Sequence, residues 1–380
     1  MNIIKLLSIR VENIKTNPFE VDLSVHHDFL RSKIKDKKIL IIGGAGFVGS
    51  NLTKMILNHH NPKKVVVVDN LLSSERFNLP EESDSFQFIH DSITNDAVLN
   101  TLDDDIDYVF HLSTFHGNQS SIEDPIRDHE NNTLTTLKLM NHMKGFKNLK
   151  KMVYSAAGCS AAKKTYDGAE ATTEEAPLSV VQDSPYSISK VIGEFYAVYF
   201  HKQHALPTVR ARFQNVYGPG EVLGAGEWRG TIHTVWRNVT PNFIYKSLKG
   251  EKLPLFNGGD ASRDFIYVDD ICRGLIACAL NGTPGDVYNI ASGKELTIKD
   301  WAELICEYTG NKGGFELLPK RDWDTSGKRF GSTEKSEKEL GFRAEMDYKE
   351  GLRKTVDWTK ENIQLIENCI AKHNDKVAKA

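Results

Sequence analysis

Residues 38–51 read KILIIGGAGFVGSN, an apolar run that leads directly into a glycine-rich stretch. Gly43, Gly46 and Gly49 recur at every third position, where a buried strand would turn into a helix. Because glycine lacks a Cβ, such a turn lets the backbone approach a pyrophosphate, and the helix N-terminus directs partial positive charge at it. The stretch therefore predicts a strand–turn–helix unit that binds a dinucleotide, although G-x-x-G-x-x-G differs from the G-x-G-x-x-G of other dinucleotide folds.

Short apolar runs follow at helical intervals and extend this unit into a sheet. They are KKVVVV, FQFIHDSI, DYVFHLS, KKMVYSAA and PTVRARFQNVYG. Runs that are continuously apolar indicate parallel strands covered on both faces, and alternation with helices indicates βαβ units. We therefore predict an α/β fold, a Rossmann doubly wound parallel sheet, with RDFIYVDDI and GDVYNIAS as late strands that return to it.

Beyond Gly218 the sequence becomes rich in Gly, Trp and Pro, which predicts a smaller, mostly C-terminal α/β domain that binds substrate. KDWAELICEYTG and YKEGLRKTVDWTKENI have the pattern of amphipathic helices. The predicted organisation is an N-terminal extension (1–36), a dinucleotide-binding Rossmann domain (37–217, with 259–291 returning to it), a substrate-binding cap (218–258 and 292–370) and a tail (371–380).

The composition is that of a globular chain and excludes several classes of protein. Of the 380 residues 40% are hydrophobic and 26% are charged, and the net charge is −3. The apolar content argues against a largely disordered chain. The absence of a basic excess argues against a protein that binds nucleic acid or an anionic membrane. No apolar run reaches the roughly 18–20 residues that span a bilayer.

Cysteine usage and the N-terminus indicate the compartment. The five cysteines are widely spaced and include no CxxC pair, a pattern that predicts neither a metal site nor a disulfide framework. The N-terminal MNIIKLLSIRVENIK is too interrupted by charge to resemble a signal peptide. We expect a cytoplasmic protein without a metal, and a homodimer.

Asp69 ends the second apolar run, twenty residues after Gly49. A carboxylate at this place can accept hydrogen bonds from an adenosine ribose diol and would repel a 2′-phosphate. Glycine turn, helix and strand-end acid together therefore predict NAD as the cofactor rather than NADP.

Tyr186 and Lys190 lie four residues apart in SPYSISKVIGEF and hence on one face of a predicted helix. A tyrosine titrates near 10, too high for a base at neutral pH. A nearby ammonium and the positive charge of oxidised nicotinamide would both favour the phenolate. Such a phenolate can take a hydroxyl proton while hydride leaves the same carbon.

The chain at this point resembles the extended short-chain dehydrogenase/reductase family, in particular its nucleotide-sugar epimerases and dehydratases. The resemblance extends from about Lys37 to about Glu361 and rests on GGAGFVGSN, VVDN, FHLS, PYSISK, RFQNVYGPG, RDFIYVDD and YNIASG. It implies a nucleotide-diphosphate sugar substrate in carbohydrate biosynthesis. It also implies that Asn132 lies in the central layer and that Asn215 and Arg263 approach the substrate's diphosphate. The cofactor contacts expected on this basis come from Gly43, Gly46, Phe47, Val48, Gly49, Asp69, Asn70, Ser92, Ile93, Leu112, Ser113, Tyr186 and Lys190.

The residues after KKMVYSAA distinguish between reactions within this family. Dehydratases of the family carry a Thr-Asp-Glu run there, whereas this chain has Ala157-Gly158-Cys159 and thus no carboxylate to act as the acid. C4-epimerases usually carry Ser or Thr where Ala157 stands, and Ser155 or Ser160 would have to substitute. Both departures leave the reaction open.

Cys159 and Arg229 suggest a third reaction. GDP-mannose 3,5-epimerases resemble this pattern, with a Ser-Ala-Cys run and a Trp-Lys-Gly shortly after Asn-x-Tyr-Gly-Pro; their Cys and Lys exchange protons beside a C4 ketone. This chain has Trp228-Arg229-Gly230, and a guanidinium is a poor proton donor at neutral pH. Cys159 as a small buried residue is the alternative. The surrounding GEWRGTIHTVWRN is expected to form a lid over the substrate, or else a packed loop.

The sequence thus predicts an NAD-dependent nucleotide-sugar epimerase that acts through a transient 4-keto sugar, with C4 epimerisation favoured. The expected catalytic residues are Tyr186, Lys190, Cys159 and Ser155, and the expected substrate-binding residues are Asn215, Arg229 and Arg263. The alternatives are 3,5-epimerase-like chemistry through Cys159, and a 4,6-dehydratase or C4 dehydrogenase. A fourth is an NAD-sensing scaffold, against which the intact Tyr186/Lys190 pair argues.

Overall fold

A computed structural model describes residues 33–161, 165–325 and 327–379 of the chain. The strands of the described chain are β1 Lys38–Ile42, β2 Lys64–Asp69, β3 Phe86–His90, β4 Tyr108–His111, β5 Lys151–Ala157, β6 Ala171–Thr172, β7 Thr208–Phe213, β8 Asn215–Tyr217, β9 Leu253–Phe256, β10 Ser262–Tyr267, β11 Val287–Ile290, β12 Glu295–Thr297, β13 Phe315–Leu318 and β14 Phe330–Gly331. Seven of them form a parallel sheet at the centre, in the order β3–β2–β1–β4–β5–β7–β11.

Helices cover both faces of this sheet, so the doubly wound Rossmann fold predicted from the sequence is confirmed. Described helices are α1 Phe47–His59, α2 Asp96–Leu99, α3 Asn118–Glu123, α4 Pro125–Asp128, α5 Thr135–Met143, α6 Pro185–His204, α7 Val239–Leu248, α8 Val268–Asn281, α9 Ile298–Thr309, α10 Tyr348–Glu361, α11 Ile363–Ala371 and α12 Asn374–Val377, with a π-helical turn at His129–Leu134 between α4 and α5. None of them is long and apolar enough to cross a bilayer.

The continuously apolar strands are explained by this two-sided cover. Ile39 and Ile41 of β1 pack with α1 and α8 in one core, whereas Leu40 and Ile42 pack with α5 and α6 in the other. Because neighbouring strand residues point to opposite faces, a strand buried on both sides must be apolar at every position.

The smaller sheets lie beyond the carboxyl end of the main sheet, and one predicted strand belongs to them. β11 returns to the main sheet as expected, but β10 does not: it pairs with β8 and β12 in a separate three-stranded sheet. The expectation that RDFIYVDDI joins the main sheet was therefore wrong. An apolar run indicates that a strand is buried but not which sheet it joins, and β10 is buried against Trp301 of α9, whose ring stacks on Phe265 at 4.1 Å between centroids.

Residues 220–238, here called the roof segment, lie beside the helix that follows the glycine turn. They pack against the C-terminal helices. Val222, Leu223 and Ala225 of the roof segment form a separate apolar cluster with Ile366 and Cys369 of α11. His373 Nε2 lies 2.9 Å from the carbonyl oxygen of Gly224. A segment without strands of its own is thus anchored by the last helices of the chain.

The predicted domain boundaries remain a prediction. Of the predicted N-terminal extension, residues 1–32 lie outside the described part of the chain, and so does the last residue of the predicted tail.

Candidate active site

A cleft of about 670 Å³ runs along the carboxyl ends of the parallel strands, between the main sheet and the smaller sheets. This is the edge at which open α/β sheets bind ligands. The residues predicted to be catalytic, cofactor-binding or substrate-binding line this cleft: Gly43, Gly46, Phe47, Val48, Gly49, Asp69, Asn70, Ser92, Ile93, Leu112, Ser113, Ser155, Cys159, Tyr186, Lys190, Asn215, Arg229 and Arg263.

The first and the last glycine of the turn, Gly43 and Gly49, leave no room for a side chain. Gly43 has φ +80°, and a Cβ there would lie 2.5 Å from the backbone nitrogen of Ser113. A Cβ on Gly49 would overlap the carbonyl oxygen of Gly43. Gly46 begins α1 without a side-chain cap, so the first N–H groups of the helix are left for another acceptor. This cradle fits the diphosphate of a dinucleotide.

Asp69 fastens the same turn from the end of β2. Its Oδ2 accepts a hydrogen bond from the Ala45 N–H at 2.9 Å, and its Oδ1 accepts from the Leu71 N–H at 2.8 Å and from Ser74 Oγ at 3.1 Å. Burial raises the pKa of Asp69, while these hydrogen bonds oppose the shift. The carboxylate therefore shapes the loop in addition to facing the cleft, a role the sequence did not predict.

Lys190 connects the helix that carries Tyr186 to the end of β5. Its Nζ donates to the carbonyl oxygen of Ser155 at 3.0 Å and lies 3.5 Å from Ser155 Oγ. The same Nζ is 5.9 Å from the centre of the Tyr186 ring. Ser184 caps α6 by accepting from the Ser187 N–H, which begins the helix just before Tyr186. The predicted Tyr–Lys pair is therefore assembled beside Ser155.

Burial sets the charge states of this pair. It lowers the pKa of Lys190 to about 8, although the charges of Asp128 and Cys159 work in the opposite direction. Burial also raises the pKa of Tyr186, with further contributions from Cys159 and Asp128. In this structure the tyrosine is a neutral phenol, so an additional positive charge is needed to make it a base.

A buried polar network links α6 to the turn that follows β4. Asn132 lies in the π-helical turn; its Oδ1 accepts from the Phe115 N–H at 2.7 Å, and its Nδ2 donates to Asp128 Oδ1 at 2.7 Å and to Ser189 Oγ at 3.1 Å. Asn132 does not line the cleft, and it joins the turn after β4 to α6. Its place between these layers agrees with the expectation from the resemblance.

Cys159 lies in the turn Gly158–Ser160 that ends β5, half-exposed to the cleft. A Cβ at Gly158 would overlap the amide of the Gln214 side chain, which would have to shift. The Cys159 side chain interacts electrostatically with both Tyr186 and Lys190, which places the thiol near the pair. The side chain of Ser160, the other serine considered for the C4-epimerase role, lies outside the described part of the chain.

Arg263 lines the cleft and is half-buried. Its Nη1 donates to the carbonyl oxygens of Ser262 and Gly327, both at 2.6 Å. Burial and the neighbouring Arg329 lower its pKa to about 9, so it is charged at neutral pH. The neighbouring Asp264 accepts hydrogen bonds from Ser292, Gly293 and Gly331.

Arg229 and Arg237 bring two guanidinium groups of the roof segment into the cleft. Arg229 Nη1 lies 3.5 Å from the carbonyl oxygen of His116, and its Cζ lies 4.8 Å from the centre of the Phe115 ring. Arg237 Nη1 donates to the carbonyl oxygen of Ser73 at 2.9 Å. The roof segment therefore supplies charge to the cleft, as expected of a lid. Trp228 packs instead on His373, at 5.8 Å between ring centres.

Comparison with known proteins agrees with this geometry. Residues 39–291 match the model of the NAD dependent epimerase/dehydratase family. The chain belongs to this family.

Individual members of the epimerase/dehydratase family resemble nearly the whole chain. A UDP-glucuronate 4-epimerase from Thermodesulfobacterium geofontis is 30% identical over 87% of this chain and 98% of its own length. The solved structure of the Bordetella bronchiseptica enzyme WbmF with NAD⁺ is 57% identical, covers 92% of this chain and 100% of that one, and superposes with a TM-score of 0.82. A second WbmF structure contains NAD⁺ and UDP, at the same identity and TM-score over 92% of this chain and 99% of that one.

Membership in the family confirms NAD as the cofactor and nucleotide sugars as the general class of substrate. The cleft also contains residues that sequence reasoning missed. They are His116, Glu221, Arg237, Arg321, Trp323 and Arg329. Arg321, Trp323 and Arg329 belong to RDWDTSGKRF. The Arg and Trp residues of this stretch were the sequence feature that could have identified them.

Proposed function

We propose that this protein is an NAD-dependent nucleotide-sugar 4-epimerase that acts through a transient 4-keto sugar. The observation that carries the proposal is the assembly of Tyr186, Lys190 and Ser155 in the same cleft as the glycine turn and Arg263. A base that shares one cleft with a dinucleotide cradle and a cationic group fits the transfer of hydride to and from a nucleotide-linked sugar.

In this mechanism Tyr186 removes the proton of the C4 hydroxyl, and Lys190 favours the phenolate electrostatically. When bound, NAD supplies the acceptor and later the donor of the C4 hydride. Ser155 Oγ donates to the carbonyl oxygen of His111 at 3.0 Å, which fixes this hydroxyl at the end of β4. The proposed cofactor contacts are those of the glycine turn, Asp69, Asn70, Ser92, Ile93, Leu112 and Ser113.

We further propose UDP as the nucleotide. Arg263, with Arg329 beside it and Asn215 in the same cleft, offers a guanidinium that suits a diphosphate. The 57% identical WbmF was crystallised with UDP, and several relatives carry names of UDP-sugar 4-epimerases.

A panel of UDP-, GDP-, CDP- and dTDP-sugars incubated with the purified protein tests the proposal, with products identified by NMR. We expect the C4 epimer of one UDP-sugar and no accumulation of a keto sugar. Release of a 4-keto or 4-keto-6-deoxy sugar would instead identify a dehydrogenase or a dehydratase. Absence of turnover together with NAD binding would favour the scaffold.

The second candidate is epimerisation at a carbon next to the ketone through Cys159, favoured by the position of the thiol beside Tyr186 and Lys190. The two reactions differ in their exchange with solvent. Proton transfer through Cys159 would place deuterium from D₂O on a ring carbon adjacent to C4, and Cys159→Ser would abolish it. C4 epimerisation returns the original hydride, so we expect no deuterium on ring carbon and a nearly unchanged rate in Cys159→Ser.

A further inference from the structure

Arg229 is a buried cation for which the proposed chemistry supplies no counter-ion. Its side chain is 2% exposed, and it lines the cleft. Its Nε is buried and has no hydrogen-bond partner among the described residues, and no described carboxylate forms an ion pair with it. The contact with the His116 carbonyl, at 3.5 Å, is a long one.

The charges near Arg229 further destabilise its protonated guanidinium. Burial lowers the pKa of Arg229 to about 9, and the neighbouring charges that contribute are those of Arg237 and Arg127, both cations. Arg237 has an acid of its own, because Glu221 acts on it with opposite sign. A guanidinium that is charged at neutral pH and buried without an acid destabilises a fold, unless a bound anion compensates it.

The location of Arg229 narrows the choice of anion. The diphosphate of the cofactor is expected at the start of α1, and the diphosphate of the substrate is expected at Arg263 and Arg329. Arg229 contacts neither place. It reaches the backbone of His116, whose ring packs edge-on against Tyr186 at 5.6 Å between centroids. The missing anion therefore belongs close to the carbon that reacts.

We infer that the sugar of the substrate carries a carboxylate, as in a nucleotide-activated uronic acid, and that Arg229 binds this carboxylate. The inference rests on the proposed function and names its substrate class. In a hexuronate the carboxylate is attached to C5, the neighbour of C4, so an acid group recognised by Arg229 would accompany C4 at Tyr186. The planar guanidinium, with its Nε free, matches the two oxygens of a carboxylate.

Binding to the NAD-loaded protein tests the inference without requiring turnover. UDP-glucuronate and UDP-glucose differ only in whether C6 is a carboxylate or a hydroxymethyl group. By calorimetry we expect UDP-glucuronate to bind about 10- to 100-fold more tightly, the range for a hydrogen bond to a charged group. Equal affinities, tighter binding of UDP-glucose, or no binding of either sugar would contradict the inference.

Variants of Arg229 test whether this residue causes the preference for UDP-glucuronate. Arg229→Met should bring the ratio of the two affinities close to one and leave the affinity for NAD unchanged, and Arg229→Lys should keep part of the preference. Arg321→Met is the matched control, because Arg321 also lines the cleft but lies over Phe256. It should weaken both sugars equally. Loss of NAD affinity in Arg229→Met would show that the guanidinium serves the cofactor and would overturn the assignment.

Stability of the ligand-free protein gives a second readout. Because an unpaired buried charge is removed, Arg229→Met should unfold at a higher temperature than the wild type when no ligand is present. A lower unfolding temperature in Arg229→Met would mean that the guanidinium is structural. Preferential binding of UDP-glucuronate without epimerisation would leave the inference standing and contradict the proposed function. Epimerisation of UDP-glucose by a protein that does not bind UDP-glucuronate more tightly would support the proposed function and contradict the inference.

Discussion

At the scale of single residues, the base is the first group to test. Tyr186→Phe removes the phenol that we propose accepts the C4 proton, and loss of a general base typically costs 10²–10⁴-fold in rate. We expect this loss in kcat with the affinity for NAD preserved, since the ring and its contact with His116 remain. Turnover at the wild-type rate would exclude Tyr186 from the mechanism.

Lys190 predicts a dependence of stability on pH. Burial lowers its pKa in the folded protein to about 8, whereas in the unfolded chain the pKa is near 10.5. Between these values the unfolded state binds more protons, so this residue makes the protein more stable as pH rises from about 8 to about 10.5. Without NAD, the free energy of unfolding of the wild type relative to Lys190→Met should rise by up to ~3 kcal/mol between pH 7 and pH 10. A flat or falling difference in urea titrations would contradict the shift.

The residues that could be identified from the sequence are those whose role depends on local spacing. Gly43, Gly46 and Gly49 form one turn, and Tyr186 and Lys190 lie one helical turn apart, so each motif brings its own geometry. Arg237 and Arg329 could not be assigned in this way. They reach the cleft from segments distant in sequence. The sequence alone does not distinguish an arginine in the cleft from an arginine on the solvated surface.

At the scale of elements, the position of α6 against β5 determines where Tyr186 and Lys190 lie. Gly193 of α6 faces Tyr154 of β5, and a Cβ at Gly193 would overlap the Tyr154 hydroxyl. The helix therefore approaches the sheet at a place where only glycine fits. The pattern of apolar residues in the sequence predicted both the helix and the strand. The distance between them depends on the contact of Gly193 with Tyr154, which cannot be inferred from the periodicity of apolar residues.

Gly193→Ala should push α6 away from the sheet. We expect a loss of about 1–3 kcal/mol in the free energy of unfolding, as for other overpacked sites, together with a lower kcat. Gly145→Ala is the matched control, because a Cβ at Gly145 meets no atom within 4 Å and should change stability by less than about 0.5 kcal/mol. Equal effects of the two substitutions would contradict this account.

At the scale of the whole molecule, the homodimer predicted from the sequence has a candidate surface. Ile188, Phe195 and Tyr199 of α6 are 47%, 57% and 52% exposed and lie on one face of the helix. Ile122 and Ile126, on helices that pack beside α6, are exposed as well. Neighbouring apolar side chains of this kind are typical of a surface that another protein chain covers.

Phe195→Lys should therefore convert a dimer into a monomer, as measured by sedimentation equilibrium, because a charge would be buried in the interface. Leu317→Lys is the control: Leu317 is 73% exposed on β13, away from α6, and the change should leave the mass unaltered. A monomeric wild type, or a Phe195→Lys protein that remains dimeric, would contradict the prediction.

The anchoring of the roof segment has a consequence for the order of events during biosynthesis. The main sheet is complete once Ile290 has left the ribosome, whereas α11 and α12, which hold the roof segment at Gly224, are made after it. Chains are released from the N-terminus onward and fold in that direction. The glycine turn is therefore formed before the contacts that anchor the roof segment. A chain that ends before Ile363 should keep the glycine turn and lose these contacts.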